Sequence, residues 1–194
     1  MTDDGVNKRR FDTRCTVISM GRGAELGIAI EVLELYISPA HNFKGHHGRP
    51  PGEEPAIRLE SIECVAGAGI RGDRYFHHED DYQGQITFFG WEVYEDLCRR
   101  LGIHDKHAGV FRRNVITRGV DLNGLVGREF TLQGIRFSGA AECSPCYWMN
   151  AAFGPGAEEA MRGRGGLRAR ILTDGVLRCD GSVSRPDAAN PPGR

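Results

Sequence analysis

No uninterrupted apolar run in this 194-residue chain is long enough to span a bilayer, so no membrane partner is expected. Charge of either sign is not in excess: 25 basic and 26 acidic side chains leave a formal net charge of −1. A chain so balanced has no global field to recruit nucleic acid, which is therefore not an expected partner. The first fourteen residues, Met1 to Arg14, are polar and lack the apolar core of a secretion signal. Internal repeats are missing too. So are the Gly-x-Ser-x-Gly, His-Glu-x-x-His and kinase signatures, which removes several common hydrolase and transferase mechanisms. No second Cys-x-x-Cys accompanies Cys143 and Cys146, and a structural zinc site normally needs four ligands.

What is present reads as one ordinary globular domain, with hydrophobic content of 40% and charged content of 26%. Twenty-seven glycines point to many turns and close backbone approaches. The folded domain is expected over 21–180. It lies between a tail at 1–20 and a second at 181–194, the latter rich in Pro, Ser, Asn and Asp with little to bury. Six cysteines (Cys15, Cys64, Cys98, Cys143, Cys146 and Cys179) are spread over a chain too large to need disulfide staples. That usage suits a reducing, cytoplasmic location. Cys64 and Cys98 fall in apolar patterns and read as inert core residues.

Strand signals dominate. They cover Ile28 to Ile37, Ile57 to Val65, Gln85 to Phe89, Gly109 to Thr117, Phe130 to Leu132 and Ile135 to Phe137. Leu167 to Leu172 and Val176 to Cys179 follow, with Gln133-Gly134 and Asp174-Gly175 as hairpin turns. One helix is well marked: Trp91, Tyr94, Leu97, Cys98 and Leu101 repeat at helical spacing, and Gly102 can end it. A short helix is expected from Pro155 to Arg162. The fold class is mostly β with a few short helices (α+β), a curled, barrel-like sheet rather than a parallel βαβ sheet. Ser38 to Pro55 has no apolar periodicity and carries His41, Lys44, His46, His47 and Arg49; a loop of this length is usually functional or disordered.

The stretch Cys143-Ser144-Pro145-Cys146 concentrates the chemistry. With Ser144 as N-cap and Pro145 at the first helical position, Tyr147 to Phe153 would form a short helix. Cys146 would then lie in its first turn, where the dipole favours a thiolate. Such a thiol could be a nucleophile, a metal ligand or half of a dithiol couple. The ordinary alternative is two buried, unreactive cysteines. Arginines supply the second theme. Arg112, Arg113 and Asn114 stand at a strand entrance. Arg168 and Arg170 project to one strand face, opposite Leu167, Ala169 and Ile171. Arg71 and Arg74 flank Gly72 in a segment able to cradle an anion. Guanidinium groups suit bidentate recognition of phosphate. The adjacent histidines at 77 and 78, with Glu79 to Asp81, read as a solvated loop.

Several segments together resemble the MOSC domain, the module named for the C-terminus of molybdenum-cofactor sulfurases. They are Gly69 to Phe76, Phe111 to Leu122, Leu125 to Phe130, Glu142 to Cys146 and Gly166 to Leu172, in that order. The resemblance implies a mostly β fold built round a MOSC-type curled β-barrel. It also implies a bound molybdenum cofactor (molybdopterin, a pterin dithiolene carrying a phosphate and a molybdenum atom), or handling of the sulfur destined for it. The family's essential cysteine, which ligates molybdenum or carries a persulfide, maps onto Cys146. Its cofactor-holding Arg-x-Asn maps onto Arg112 and Asn114, and Arg168, Arg170, Arg71 and Cys143 complete the expected cofactor-binding set. Larger relatives carry a further barrel or a fused cysteine desulfurase; neither is seen here, so a stand-alone member is expected. Some of that group reduce N-hydroxylated compounds with partner proteins. The leading expectation is therefore an oxidoreductase acting on a small N-hydroxylated or N-oxide substrate with a separate electron-donating reductase. Two alternatives remain: a persulfide sulfurtransferase fed by a cysteine desulfurase through Cys146, and a non-enzymatic cofactor carrier.

Overall fold

The computed structural model describes residues 16–20, 28–43 and 49–180. Among the described residues, alternating and β-branched sequence produces eleven strands. They are β1 (Thr16–Met20), β2 (Ile28–Ile37), β3 (Ile57–Leu59), β4 (Ser61–Val65), β5 (Gly69–Ile70) and β6 (Ile86–Gly90). After them come β7 (Val115–Arg118), β8 (Glu129–Leu132), β9 (Ile135–Glu142), β10 (Leu167–Ile171) and β11 (Gly175–Arg178). Eight form one sheet in the order β1-β8-β9-β10-β6-β7-β2-β3, and β11-β4-β5 form a small second sheet. The large sheet curls until β1 bridges its ends: Thr16 to Ile18 pair with β2, whereas Ser19 and Met20 pair with β8. No paired residue of β1 serves both neighbours, so the expected barrel is a curled sheet with bridged edges rather than a closed one. The class, mostly β with short helices, is as expected.

Inside the curl lies the main core, built on Ile30, Val32, Phe88, Phe130, Phe137 and Leu167, with Ile62, Cys64 and Leu177 contributed by the small sheet. Phe88 meets Phe130 and Phe137 edge-on at centroid distances of 5.7 and 5.6 Å, a favoured aromatic geometry. A second core covers the outer face, where Phe89, Phe111 and Phe153 pack with Leu97 and Met161. The helix α1 (Trp91–Leu101) presents Leu97 and Cys98 to it and ends at Gly102 in the left-handed conformation (φ 65°), as its spacing predicts. Two further helices are short: α2 (Trp148–Ala152) and α3 (Ala157–Ala160).

Several sequence expectations give way. Strand β1 begins at Thr16, so the tail boundary at 20 is too late; 181–194 lies outside the described residues. The predicted strand 57–65 divides at Glu60 between the two sheets. Ala108–Phe111 is a 3-10 turn rather than the start of a strand. Asp174-Gly175 makes no β10–β11 hairpin, because β6 and β9 already occupy both edges of β10. Instead Asp174 accepts the Ala66 N–H at 2.7 Å, and the chain crosses to β4. Gln133-Gly134 does turn β8 into β9, both residues having positive φ. Strands β6 and β7 run parallel, joined through α1. The fold therefore holds one βαβ unit that periodicity alone did not reveal.

Cys64 is fully buried in the main core, and burial pushes its thiol up to about 12 from 9.0. A raised folded-state value means stability is intact below the unfolded thiol's pKa and is lost as pH climbs towards the folded one. Between pH 9 and 12, Cys64 should contribute a loss of up to about 4 kcal/mol. Denaturant melts of the wild type should therefore weaken more steeply across that window than those of Cys64→Ala.

Candidate functional site

The residues of 111–114 form the floor of the site. The 3-10 turn ends at Arg112, which adopts the left-handed conformation (φ 55°) normally left to glycine or asparagine. That reversal sends the side chains of Arg112, Arg113 and Asn114 to different tasks. Asn114 is buried and saturated. Its Oδ1 accepts the Thr87 N–H at 3.0 Å and the Thr87 hydroxyl at 2.8 Å. Its Nδ2 donates to the Tyr36 carbonyl and to Asp73 Oδ2, each at 3.2 Å. Asp73, also buried, accepts the Ser38 and Tyr75 N–H groups as well. One amide thus ties β2, β6 and β7 to the turn at 71–75.

Arg112 is buried and donates to two carbonyls of the 40–54 loop, Glu54 O at 2.8 Å and Ala40 O at 2.5 Å. Burial, then the neighbouring Arg74, push its guanidinium down to about 10, which still leaves it charged at neutral pH. Arg113 donates to the carbonyls of Phe111 (3.0 Å), Gly165 (3.2 Å) and Cys143 (3.3 Å). It is a staple between carbonyls rather than a solvated surface arginine. The Cys143 N–H donates to Gly166 O at 2.8 Å. Gly165 permits this approach, since a Cβ there would sit 2.2 Å from Cys143 O.

These elements enclose an open cavity of about 220 Å³. Cys143, Cys146, Arg112, Asn114 and Arg168 all line it, so five of the seven expected site residues converge. Two do not. Arg71 turns outward to Glu63 (2.8 Å), and Arg170 is bound by Asp81 at 2.6 and 2.9 Å. Gly72, with φ 83°, reverses the chain between Arg71 and Arg74, so it is Arg74 that reaches the cavity. Both arginines stand in the same short motif, and nothing in the sequence distinguishes them. Arg74 lies over Tyr75 (4.6 Å) and 3.7 Å from Asp73, a cation–π arrangement. Arg168 makes no side-chain hydrogen bond or ion pair among the described residues. Among the described residues, four guanidinium groups therefore line the cavity and no carboxylate does.

The thiols separate sharply. Cys143 is 2% exposed, whereas Cys146 is exposed at the opening. The helix expected to begin around Cys146 begins at Trp148 instead, spans five residues and has no side-chain cap. Cys146 is thus outside the first turn, and the dipole argument for its ionisation lapses. No group of three or more His, Cys, Asp and Glu side chains suited to a metal converges among the described residues, so the Cys143/Cys146 pair gathers no further such ligands.

Aromatic groups that periodicity did not flag form the rim. Phe43 stacks on Trp148 (4.7 Å) beside Cys146. Opposite, Tyr75 stacks on Tyr82 (5.2 Å) and meets His41 edge-on (5.2 Å). Burial and Tyr75 push the Tyr82 hydroxyl up to about 12 against the pull of Arg168 and Arg74. Of the Ser38–Pro55 loop, 44–48 (Lys44, His46 and His47 included) lies outside the described residues.

Two outcomes test this architecture. Asn114→Ala strands the Thr87 and Asp73 partners in the interior, so denaturant unfolding should lose roughly 3 kcal/mol. Under native conditions a thiol alkylating reagent should modify Cys146 before Cys64, Cys98 or Cys143. Peptide mass mapping at successive times reads that order.

Comparison with known proteins joins this geometry to a family. The MOSC domain model matches residues 46–184. No curated protein matches the chain. Among solved structures, YuaD of Bacillus subtilis is similar at a TM-score of 0.58 and 17% identity, with 77% of this chain and 91% of that one covered. YiiM of Geobacillus stearothermophilus follows at 0.56 and 15%, covering 77% and 71%. YiiM of Escherichia coli gives 0.52 and 16%, covering 77% and 64%. No helix among the described residues is long and apolar enough to cross a membrane. With the family model covering well over half its length, the chain belongs to the MOSC domain family, whose members bind molybdenum cofactor or act in sulfur transfer.

Proposed function

We propose that the cavity binds the molybdenum cofactor and that the chain is an oxidoreductase reducing N-hydroxylated or N-oxide compounds with electrons from a separate reductase. One observation carries this reading: an exposed thiol, Cys146, opens onto the same cavity as four guanidinium groups and, among the described residues, no carboxylate. The donor set fits the group, since soft thiolate suits such a metal and guanidinium suits a phosphate. Cys146 would hold the metal. Arg168 and Arg74 would meet the phosphate or the pterin, Arg168 having no competing partner among the described residues. Arg112 and Arg113 serve differently: they hold the Ala40, Glu54 and Cys143 carbonyls, so that these parts of the walls are set before any ligand arrives. Asn114 orders the floor from behind. When bound, the cofactor supplies two-electron chemistry at a metal centre. The chain supplies position, positive field and partial exclusion of water.

Exposure of Cys146 favours a second reading, in which the thiol meets a partner protein and carries a persulfide. The two separate cleanly. Protein produced in a molybdenum-replete host should contain near-stoichiometric molybdenum and pterin, and Cys146→Ser should lose most of the metal. Protein folded but free of both, with one sulfur atom gained on Cys146 after incubation with a cysteine desulfurase and cysteine, would replace the redox reading by sulfur transfer.

A further inference from the structure

Reductive cleavage of an N–O bond needs a source of protons as well as electrons. For a hydroxylamine, R–NH–OH plus two protons and two electrons gives R–NH2 and water. The N–O bond breaks, nitrogen is reduced, and the oxygen must be protonated as it leaves. The electrons come from the reduced redox partner named above. Among the residues lining the cavity, few can provide the proton near neutral pH. Guanidinium groups hold theirs too tightly, and even buried Arg112 titrates only at about 10. Tyr82 holds its own up to about 12. Thr87 donates its hydroxyl to Asn114, and Asn114 is saturated. Among the described residues, His41 is the single imidazole in the lining, and an ordinary histidine titrates at about 6.5.

Its placement is built. Ala40, immediately before it, is held by Arg112 through the 2.5 Å bond to its carbonyl. Asn42, immediately after it, clasps Glu54 with both side-chain atoms, Nδ2 to Glu54 O at 2.8 Å and Oδ1 from Glu54 N at 2.9 Å. The Asn42 carbonyl also accepts the Gly52 N–H at 2.8 Å. Ala40 is thus tied directly to Arg112, and Asn42 to the far limb of the same loop, whose Glu54 carbonyl Arg112 also holds. The ring lies edge-on to Tyr75, 5.2 Å away, and Tyr75 is backed by His78 and Tyr82. Among the described residues, Arg74 (over Tyr75), Arg168 (acting on Tyr82) and Arg112 are charged groups of this lining. Among the described residues, His41 is thus the imidazole presented to the space that Cys146 opens onto.

We infer that His41 is the proton donor of this site, delivering an imidazolium proton to the oxygen that leaves as the N–O bond breaks. The inference rests on the cavity carrying out reductive N–O cleavage, as proposed above. Arg112 and Asn42 act as positioning residues for it.

The test uses molybdenum-loaded full-length chain, N-phenylhydroxylamine as probe and dithionite as electron source. Wild-type kcat should fall as pH rises through the titration of His41, which histidine NMR of the same protein follows without turnover. His41→Phe should keep its molybdenum and pterin content, leave KM within a few-fold, lower kcat roughly 100-fold and lose that pH limb. His41→Gln, which keeps polarity and approximate size, should behave alike, so that a folding failure in one variant does not decide the matter. Either variant turning over at the wild-type rate with the limb intact overturns His41 as donor while leaving the cofactor reading in place. Wild-type protein that loads molybdenum but reduces no N–O bond overturns the reaction, and the inference with it.

Discussion

The Asn114 amide is the constraint on which the site depends. It occupies a position where β6 and β7 run parallel, and so has a strand neighbour on each side as well as the 71–75 turn above it. Each of its hydrogen bonds crosses from one element to another: Thr87 on β6, Tyr36 on β2, Asp73 in the turn. A side chain that bonds three separate segments in the interior can do so in only one arrangement, because any shift leaves a buried polar group unpaired. The arrangement it enforces brings Arg74, on the turn, beside Arg112, two residues before the amide. The cationic wall is therefore a consequence of a neutral hydrogen-bonded knot.

The same economy governs the second half of the site. Arg113 spends its guanidinium on three carbonyls, two of which belong to the segments carrying Cys143 and Gly165. Gly165 and Gly166 lack the Cβ that would collide with Cys143 O and Phe88 O, so backbone can meet backbone where a thiol-bearing loop must lie flat. Cys143 is consumed by this packing. Cys146, three residues on, is left at the opening. The division of labour between the two thiols follows from which one the glycines allow to be buried.

Much of this was legible in the chain, and the boundary of legibility is physical. Helix α1 and the Gln133-Gly134 turn were visible because their signals are local: apolar spacing at 3.6 residues, and a left-handed pair at a hairpin tip. The convergence of Cys146, Arg112, Asn114 and Arg168 was visible only through the family resemblance, since those residues are far apart in sequence and no periodicity links them. Choosing Arg71 over Arg74 failed because the deciding feature is the positive φ of Gly72, a backbone state rather than a residue pattern. Arg170 failed through a partner 89 positions away, Asp81. The helix start at Cys146 failed because Ser144 and Pro145 are only permissive signals, and extended backbone held by Arg113 and Gly166 outweighs the capping preference. The βαβ unit was missed because α1 was read as an isolated helix among antiparallel strands.

Four guanidinium groups around one small cavity repel one another, and Arg112 registers that repulsion directly: burial and Arg74 both weaken its hold on its proton. Such a convergence is not what folding alone would select, because paired or solvated arginines cost less. Three of the four have something to compensate them: carbonyls for Arg112 and Arg113, Asp73 and an aromatic face for Arg74. Arg168 has neither among the described residues. An anion entering the cavity would relieve the repulsion and give Arg168 its missing partner. Ligand binding and fold stability are thereby linked through one charge balance, and whatever binds there favours the folded state by the free energy of its binding. That linkage holds for a phosphate-bearing cofactor or for any other anion of suitable size. What favours the proposed cofactor over a simple anion is the soft sulfur of Cys146 at the cavity's opening, a group that adds nothing to the recognition of a simple anion.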